Sequence, residues 1–275
     1  MKIRHGFLIV LLSWLAAWPG MASDAVEKLE FRVIYRGVFS LGSDLEIADL
    51  SLETLASRGA AGLVETRLDV TSAAYPNVES LYPIRYRFRT WSTQDAGQLV
   101  GFETYEKSRK LRHRLYLRDG SDLGVQRLDV NAGVGRDEIA RLDTGELPDA
   151  AVIVGDLLDR LGMLQRVRAQ TLIESAQFSF PVTNGREQLT YRVKVEGLES
   201  VNIGPLVVPA WKVSFAGFHL NKHGEEEAAH RPAIIWLSQA PGHIPLRADS
   251  QHPIGVFRIE LHPPSALQHL ALTDR

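Results

Sequence analysis

The sequence predicts a mainly β protein: an antiparallel barrel-like or half-barrel sheet with one amphipathic helix near its middle. Three observations carry that expectation. Apolar and polar residues alternate with period 2 along most of the chain, turn-forming pairs separate the alternating runs, and one stretch has helical spacing. The 275 residues are 45% hydrophobic and 23% charged, with 22 Gly, 13 Pro and no Cys. These globular proportions exclude collagen-like, coiled-coil and wholly disordered chains. Without Cys there is no disulfide framework, thiolate metal site, cysteine nucleophile or lipid-modified N-terminal Cys.

The first element is a leader. Lys2 and Arg4 precede an apolar run over residues 6–18, and Pro19, Gly20 and Ala22 supply a helix break and small residues. This is the layout of a cleaved signal peptide, residues 1–22, and the 13-residue run is short against the roughly 20 needed to span a bilayer. Export to the periplasm is therefore expected, with no transmembrane helix in the mature chain. Removing residues 1–22 takes away two cations and no acid, so the formal charge moves from −2 to −4. A net acidic exported chain does not suit nucleic acid. The remainder divides softly into an N-terminal β half, residues 23–147, and a helix plus C-terminal β half, residues 148–275. One continuous domain over 23–275 fits the same pattern.

The strands follow in order. Phe31, Val33 and Tyr35 alternate with Arg32, Ile34 and Arg36; Leu45 and Ile47 alternate with Asp44, Glu46 and Ala48. Ile84, Tyr86 and Phe88 alternate with Arg85, Arg87 and Arg89, and Leu111, Leu115 and Leu117 oppose Lys110, Arg112, Arg114 and Arg118. Tyr191, Val193 and Val195 alternate with Arg192, Lys194 and Glu196. Each pattern is that of a strand with one buried and one wet face. Ile84, Tyr86, Phe88, Leu115, Leu117, Val193, Val195, Ile235 and Leu237 are thus expected to share one apolar interior. Hairpin turns are expected at residues 94–97, 118–121, 183–186 and 222–225, most sharply at Asp119-Gly120 and Asn184-Gly185. The helix is expected from an Asp149 cap through Val152, Leu157, Leu158, Leu161 and Leu164, with Gly162 near its end. Shorter helical pieces fit residues 50–58 or 74–80. Residues 133–138 lack a third glycine and read as a loop.

The C-terminal half then resembles a known family. Asn202-Ile-Gly-Pro205, Val208-Pro-Ala-Trp-Lys-Val213, Ile234-Ile-Trp-Leu-Ser238, Ile244-Pro-Leu-Arg247 and a closing strand from Pro253 to Leu261 follow one another. That order is similar to the exported bacterial proteins grouped as domain of unknown function 3108. The opening Phe31–Gly37 run and the Asp149 segment resemble the same family's start and middle. The resemblance implies a β-rich, barrel-like envelope domain, loosely similar in shape to periplasmic lipoprotein carriers. It supplies no catalytic motif.

Two constellations carry chemistry. Arg85, Arg87 and Arg89 share one strand face, and Lys110, Arg112 and Arg114 share a face of a later strand. Arginine forks match phosphate and carboxylate groups, so these six form a candidate anion-binding patch for lipid head groups or acidic glycans. Glu103 and Glu106 lie between them and offer the competing account of cross-strand ion pairs. His219, His223 and His230 flank Glu225-Glu-Glu227 and form an alternative Zn²⁺ site, although no His-Glu-x-x-His accompanies them. The main expectation is no metal and no cofactor. Asp156 and Asp159 are expected on the helix, facing water. No nucleophile elbow or phosphate loop is present. The expected function is non-catalytic binding of an amphipathic or anionic envelope molecule. The alternative is a hydrolase of envelope polysaccharide working through carboxylates or a His-held metal. An outer-membrane barrel fits poorly, because cationic faces are costly against lipid.

Overall fold

The computed structural model describes residues 25–56, 58–94, 97–108, 110–121 and 124–263. The expected leader lies outside them. Seven strands form an antiparallel meander: β1 (Ala25–Gly37), β2 (Leu45–Leu55), β3 (Leu63–Thr71), β4 (Arg85–Thr93), β5 (Leu99–Lys107), β6 (Leu111–Arg118) and β7 (Val125–Asp129). A short helix α1 (Pro76–Leu81) interrupts it between β3 and β4, and α2 (Arg136–Thr144) and α3 (Arg160–Arg168) follow β7. The second half continues with β8 (Gln177–Thr183), β9 (Gln188–Ile203), β10 (Leu206–Leu220), β11 (Glu226–Ala228), β12 (Ala233–Ser238), β13 (Pro245–His252) and β14 (Gly255–Leu261).

All strands belong to one antiparallel sheet, ordered β7-β6-β5-β4-β3-β2-β1-β14-β13-β12-β10-β9-β8, with β11 added to β10. The two halves join where β14 returns beside β1, pairing Phe31 with Leu261 and Val33 with Ile259. Three of the expected turns sit where the sequence places them, between β6 and β7, β8 and β9, and β10 and β11, while residues 95 and 96 of the turn expected at 94–97 lie outside the described residues. The sheet is not closed by strand pairing, because β7 and β8 are opposite ends of the path.

Residues 152–158 seal the seam instead. The Val152 N–H donates to the Arg118 carbonyl at 2.9 Å, and the Arg118 guanidinium donates to the Val154 carbonyl. Leu158 donates to Pro181 O at 3.0 Å and accepts from the Thr183 N–H at 2.8 Å. This extended run corrects the helix expected from Asp149. Its β-branched Val152, Ile153 and Val154 lose rotamer freedom in a helix, and the two strand edges compete for their backbone groups. The helix begins ten residues later, where Asp159 caps α3 by accepting the Gly162 N–H at 2.8 Å. Two further corrections concern helix boundaries. Residues 45–55 form β2, not the short helix fitted to 50–58. The loop expected over 133–138 ends at Gly135, where φ is +92°, and α2 begins at Arg136. The short α1 overlaps the other segment read as helical, 74–80, and ends one residue beyond it.

Register assigns the faces. Leu52, Leu68, Phe88 and Thr104 stand side by side across β2–β5, on the face that also presents Leu29, Phe31 and Leu50. This concave face holds α3, whose Leu161 joins Phe31, Leu50 and Leu261, and whose Met163 and Val167 join Tyr191, Val193, Val195, Phe215 and Leu237. On the convex face of β3–β6, a separate core forms beneath α2 from Leu63, Trp91, Leu115, Leu117, Val130 and Leu142. The single interior expected for Leu115, Leu117, Val193, Val195 and Leu237 is therefore two cores on opposite sides of one sheet. Phe88 is 38% exposed, whereas Trp91, on the arginine-bearing parity, is 1% exposed.

At the seam the two halves touch. Gly185, in the β8–β9 turn at φ +81°, lies against the Tyr116 ring so closely that a Cβ would overlap it. Tyr116 stacks on Phe102 at 4.5 Å between centroids. Turn, ring and sealing segment together give the open sheet a barrel-like form.

Candidate functional site

The six cations expected to form one patch do not share a face. Arg89 faces Glu103 across the β4–β5 pair, and Glu103 faces Leu115 of the convex core. Arg85, Arg87 and Arg89 therefore lie on the convex side. Arg112 faces Glu106, which faces Tyr86, and Arg114 faces Thr104, which faces Phe88, so both lie on the concave side. Lys110 precedes β6 and is exposed.

Acids meet most of these cations. Arg85 forms a two-pronged pair with Glu79 of α1 at 2.6 and 3.0 Å, and Arg87 Nε meets Asp69 at 2.7 Å. Arg112 lies 3.3 Å from Glu106. Arg89 bonds Glu103 through Nε, bonds Asp143 of α2 at 2.7 Å, and lies 3.6 Å from Glu65. Burial opposes the charge of Arg89, but Glu103, Asp143 and Glu65 outweigh that effect and hold its pKa above the ordinary arginine value. Burial likewise raises Asp143, with Arg89 working against it. Glu103 also binds His113 Nε2, and it is 4% exposed. This network pins α2 to the sheet beside a cleft of about 850 Å³ that Arg136 also lines.

The histidines are equally dispersed. His219 lies in β10, His223 is exposed at the β10–β11 turn, and His230 bonds the Tyr191 hydroxyl at 2.8 Å. Among the described residues, no group of three or more His, Asp or Glu side chains converges as metal ligands do. Asp159, expected to face water beside Asp156, is buried at the α3 cap. It accepts from the Thr90 hydroxyl at 2.5 Å, and burial raises its pKa.

A different constellation emerges on the concave side. Between α3 and strands β9, β10 and β12 runs an open-sided groove of about 630 Å³. Met163, Leu164, Tyr191, Phe215 and Ile235 make its apolar walls. Arg160, His230, Arg231 and His252 stand among its polar lining residues, which include no Asp or Glu among those described. The size lies within the range of small-molecule sites, and apolar walls with a few polar groups are their usual chemistry.

Each polar group is positioned locally. His230 Nδ1 lies 3.0 Å from the Arg231 carbonyl, which can only accept, so the neutral ring carries its proton on Nδ1. Nε2 then accepts from the Tyr191 hydroxyl. Arg231 donates to the neutral Gln251 side chain at 3.2 Å and keeps its full charge uncompensated by that contact. Arg160 is the first residue of α3, where the helix dipole disfavours a cation. Arg160 is exposed there, so that cost is small, and its guanidinium is free to face the groove. Arg160 also borders a smaller recess of about 280 Å³ on its other side, walled by Leu68, Phe88, Phe102 and Leu161.

Of the groove's residues, only His230 stands among the sequence candidates, and there as a metal ligand. One signal was present: Asp159-Arg160 puts a capping acid directly before a cation. Once α3 starts at residue 160, that cation is at the wrong end of its helix.

The family model described as protein of unknown function DUF3108 matches residues 63–262, and the chain belongs to that family. No curated protein matches it. Among solved structures, the chain is similar to a beta-barrel-like protein of domain of unknown function DUF1849 from Brucella abortus. The identity is 12%, with 85% of this chain and 94% of that one covered and a TM-score of 0.47. It is also similar to a Bacteroides fragilis protein with a YmcC-like fold, named as a candidate exported protein. There the identity is 10%, with 85% and 92% covered and a TM-score of 0.27. Among the described residues no helix is long and apolar enough to cross a membrane.

Proposed function

We propose that this is an exported envelope protein that binds an amphipathic anion without catalysis, with the acyl or other apolar part in the α3 groove and the anionic head against Arg160 and Arg231. The observation that carries the reading is the pairing of apolar walls with a cationic, acid-free lining. Desolvated apolar contact supplies affinity, while the arginines orient the head group and are screened by salt. The arginines of the convex face are met by carboxylates and leave less potential for a ligand.

Two measurements test the proposal. A fluorescent long-chain fatty acid should bind saturably at one site, and Arg160→Glu/Arg231→Glu should weaken it roughly tenfold or more, with the wild-type affinity falling as salt rises. Equal affinity in both proteins contradicts the assignment. For export, N-terminal sequencing of protein taken from the cell envelope should begin near Ser23. An intact Met1 contradicts the leader reading.

A further inference from the structure

We infer that the β1–β2 loop at the rim of the groove is a docking tip that inserts into a phospholipid bilayer. Val38, Phe39 and Leu41 are 73%, 75% and 95% exposed, among the most exposed large apolar side chains described. Such a cluster on a frayed loop would mean little, but this backbone is held. Gly42 N–H donates to Gly37 O at 3.1 Å, Ser43 N–H to Ser40 O at 2.9 Å, and Arg36 Nε to Gly42 O at 2.8 Å. The Phe39 N–H donates to the Tyr35 hydroxyl at 3.2 Å, and that hydroxyl donates to Ile254 O at 2.7 Å. The loop therefore presents its apolar side chains from a fixed frame.

Folding does not ask for these residues. Leu41 has φ +51°, a left-handed conformation that Gly or Asn adopts more readily, and its side chain buries almost nothing. An unfavourable backbone conformation carrying an exposed Leu points to a use outside the fold.

Position selects the occupant. The loop rests on the β13–β14 turn: Val38 N–H donates to Ile254 O at 3.3 Å, and the neighbouring His252 and Pro253 line the groove. The apolar tip is thus continuous with the groove's rim, where an amphipathic molecule would enter or leave. A bilayer is the phase in which such a molecule resides. A short convex tip is also easily accommodated by fluid acyl chains, whereas a stable protein interface needs a larger complementary surface. Of the charges beside it, Arg36 is mostly exposed and lies 4.0 Å from Asp44, so the pair leaves little net charge to repel the tip from the membrane surface. The route to the groove, and with it part of the case for a bilayer as occupant, rests on the proposed function; the exposed apolar side chains and their held backbone do not.

The test is flotation of the protein, in the form the cell accumulates, with vesicles of phosphatidylethanolamine and a minority of phosphatidylglycerol. Wild type should float, and Phe39→Asp/Leu41→Asn should lose roughly tenfold in partitioning. Asn suits the left-handed position, so the thermal midpoint should hold, and binding of the soluble fatty-acid probe should be unchanged. Wild type failing to float, or both proteins floating equally, overturns the inference. So does a dimer that the double substitution dissociates, since a second copy would then cover the tip. Flotation without probe binding would sustain the docking tip and defeat the groove assignment alone.

Discussion

Trp91→Ala should cost about 3–5 kcal/mol of unfolding free energy, while Phe88→Ala should cost roughly 1 kcal/mol, both read from urea midpoints at constant m-value. The contrast inverts the intuition drawn from the strand itself. Three arginines on one parity mark that face as wet, and the opposite Tyr86 and Phe88 as core. In the structure the arginine-bearing face of β4 runs beneath α2, so Trp91 ends in a closed core with Leu63, Leu115, Leu117 and Leu142. The Arg89 guanidinium lies over its ring at 4.6 Å from the centroid. Phe88 faces the concave side and lines only a small open recess. Because the Trp91 indole N–H is buried without a partner, Trp91→Phe should recover most of the loss from Ala. Equal costs for Trp91→Ala and Phe88→Ala would contradict the assigned faces.

Glu103→Ala should cost about 3 kcal/mol, against no more than about 1 kcal/mol for Arg112→Ala. Glu103 is almost wholly buried and accepts from both Arg89 and His113, so its removal leaves two groups short of a partner. Asp143 and Glu65 still face Arg89, which keeps the loss toward the lower end for a broken buried pair. The Arg112–Glu106 pair is half exposed, and water replaces it readily. Paired chemical denaturation curves measure the difference. Similar small losses from the two substitutions would mean that the Glu103 network is solvated.

The sequence showed strands and turns well, for a local reason: alternation and Asn-Gly or Asp-Gly pairs are properties of a few adjacent residues. It showed the arginines' partners only in part. Glu103 and Glu106 are within reach as neighbours on the next strand, and Asp69 is the same kind of neighbour on the preceding one, whereas Asp143 and Glu79 come from helices. The error over residues 149–158 is of another kind. Leu157, Leu158, Leu161 and Leu164 have helical spacing, yet Leu158 is spent on a bridge to Val182 and only the last two enter α3. No local signal says that two distant sheet edges will claim Val152 and Leu158. The same non-local event starts the helix at Arg160, and so creates the groove that the sequence did not reveal.

On the proposed function, the ligand enters the groove between α3 and β9, β10 and β12. The most direct measurement is photocrosslinking with a diazirine-bearing long-chain fatty acid, followed by peptide mapping. Adducts are expected on the groove walls, at Met163, Tyr191, Phe215 or Ile235, competed away by unlabelled fatty acid and lost in Arg160→Glu/Arg231→Glu protein. Adducts confined to the convex face around Arg85 and Arg87, or labelling that no competitor reduces, would contradict it.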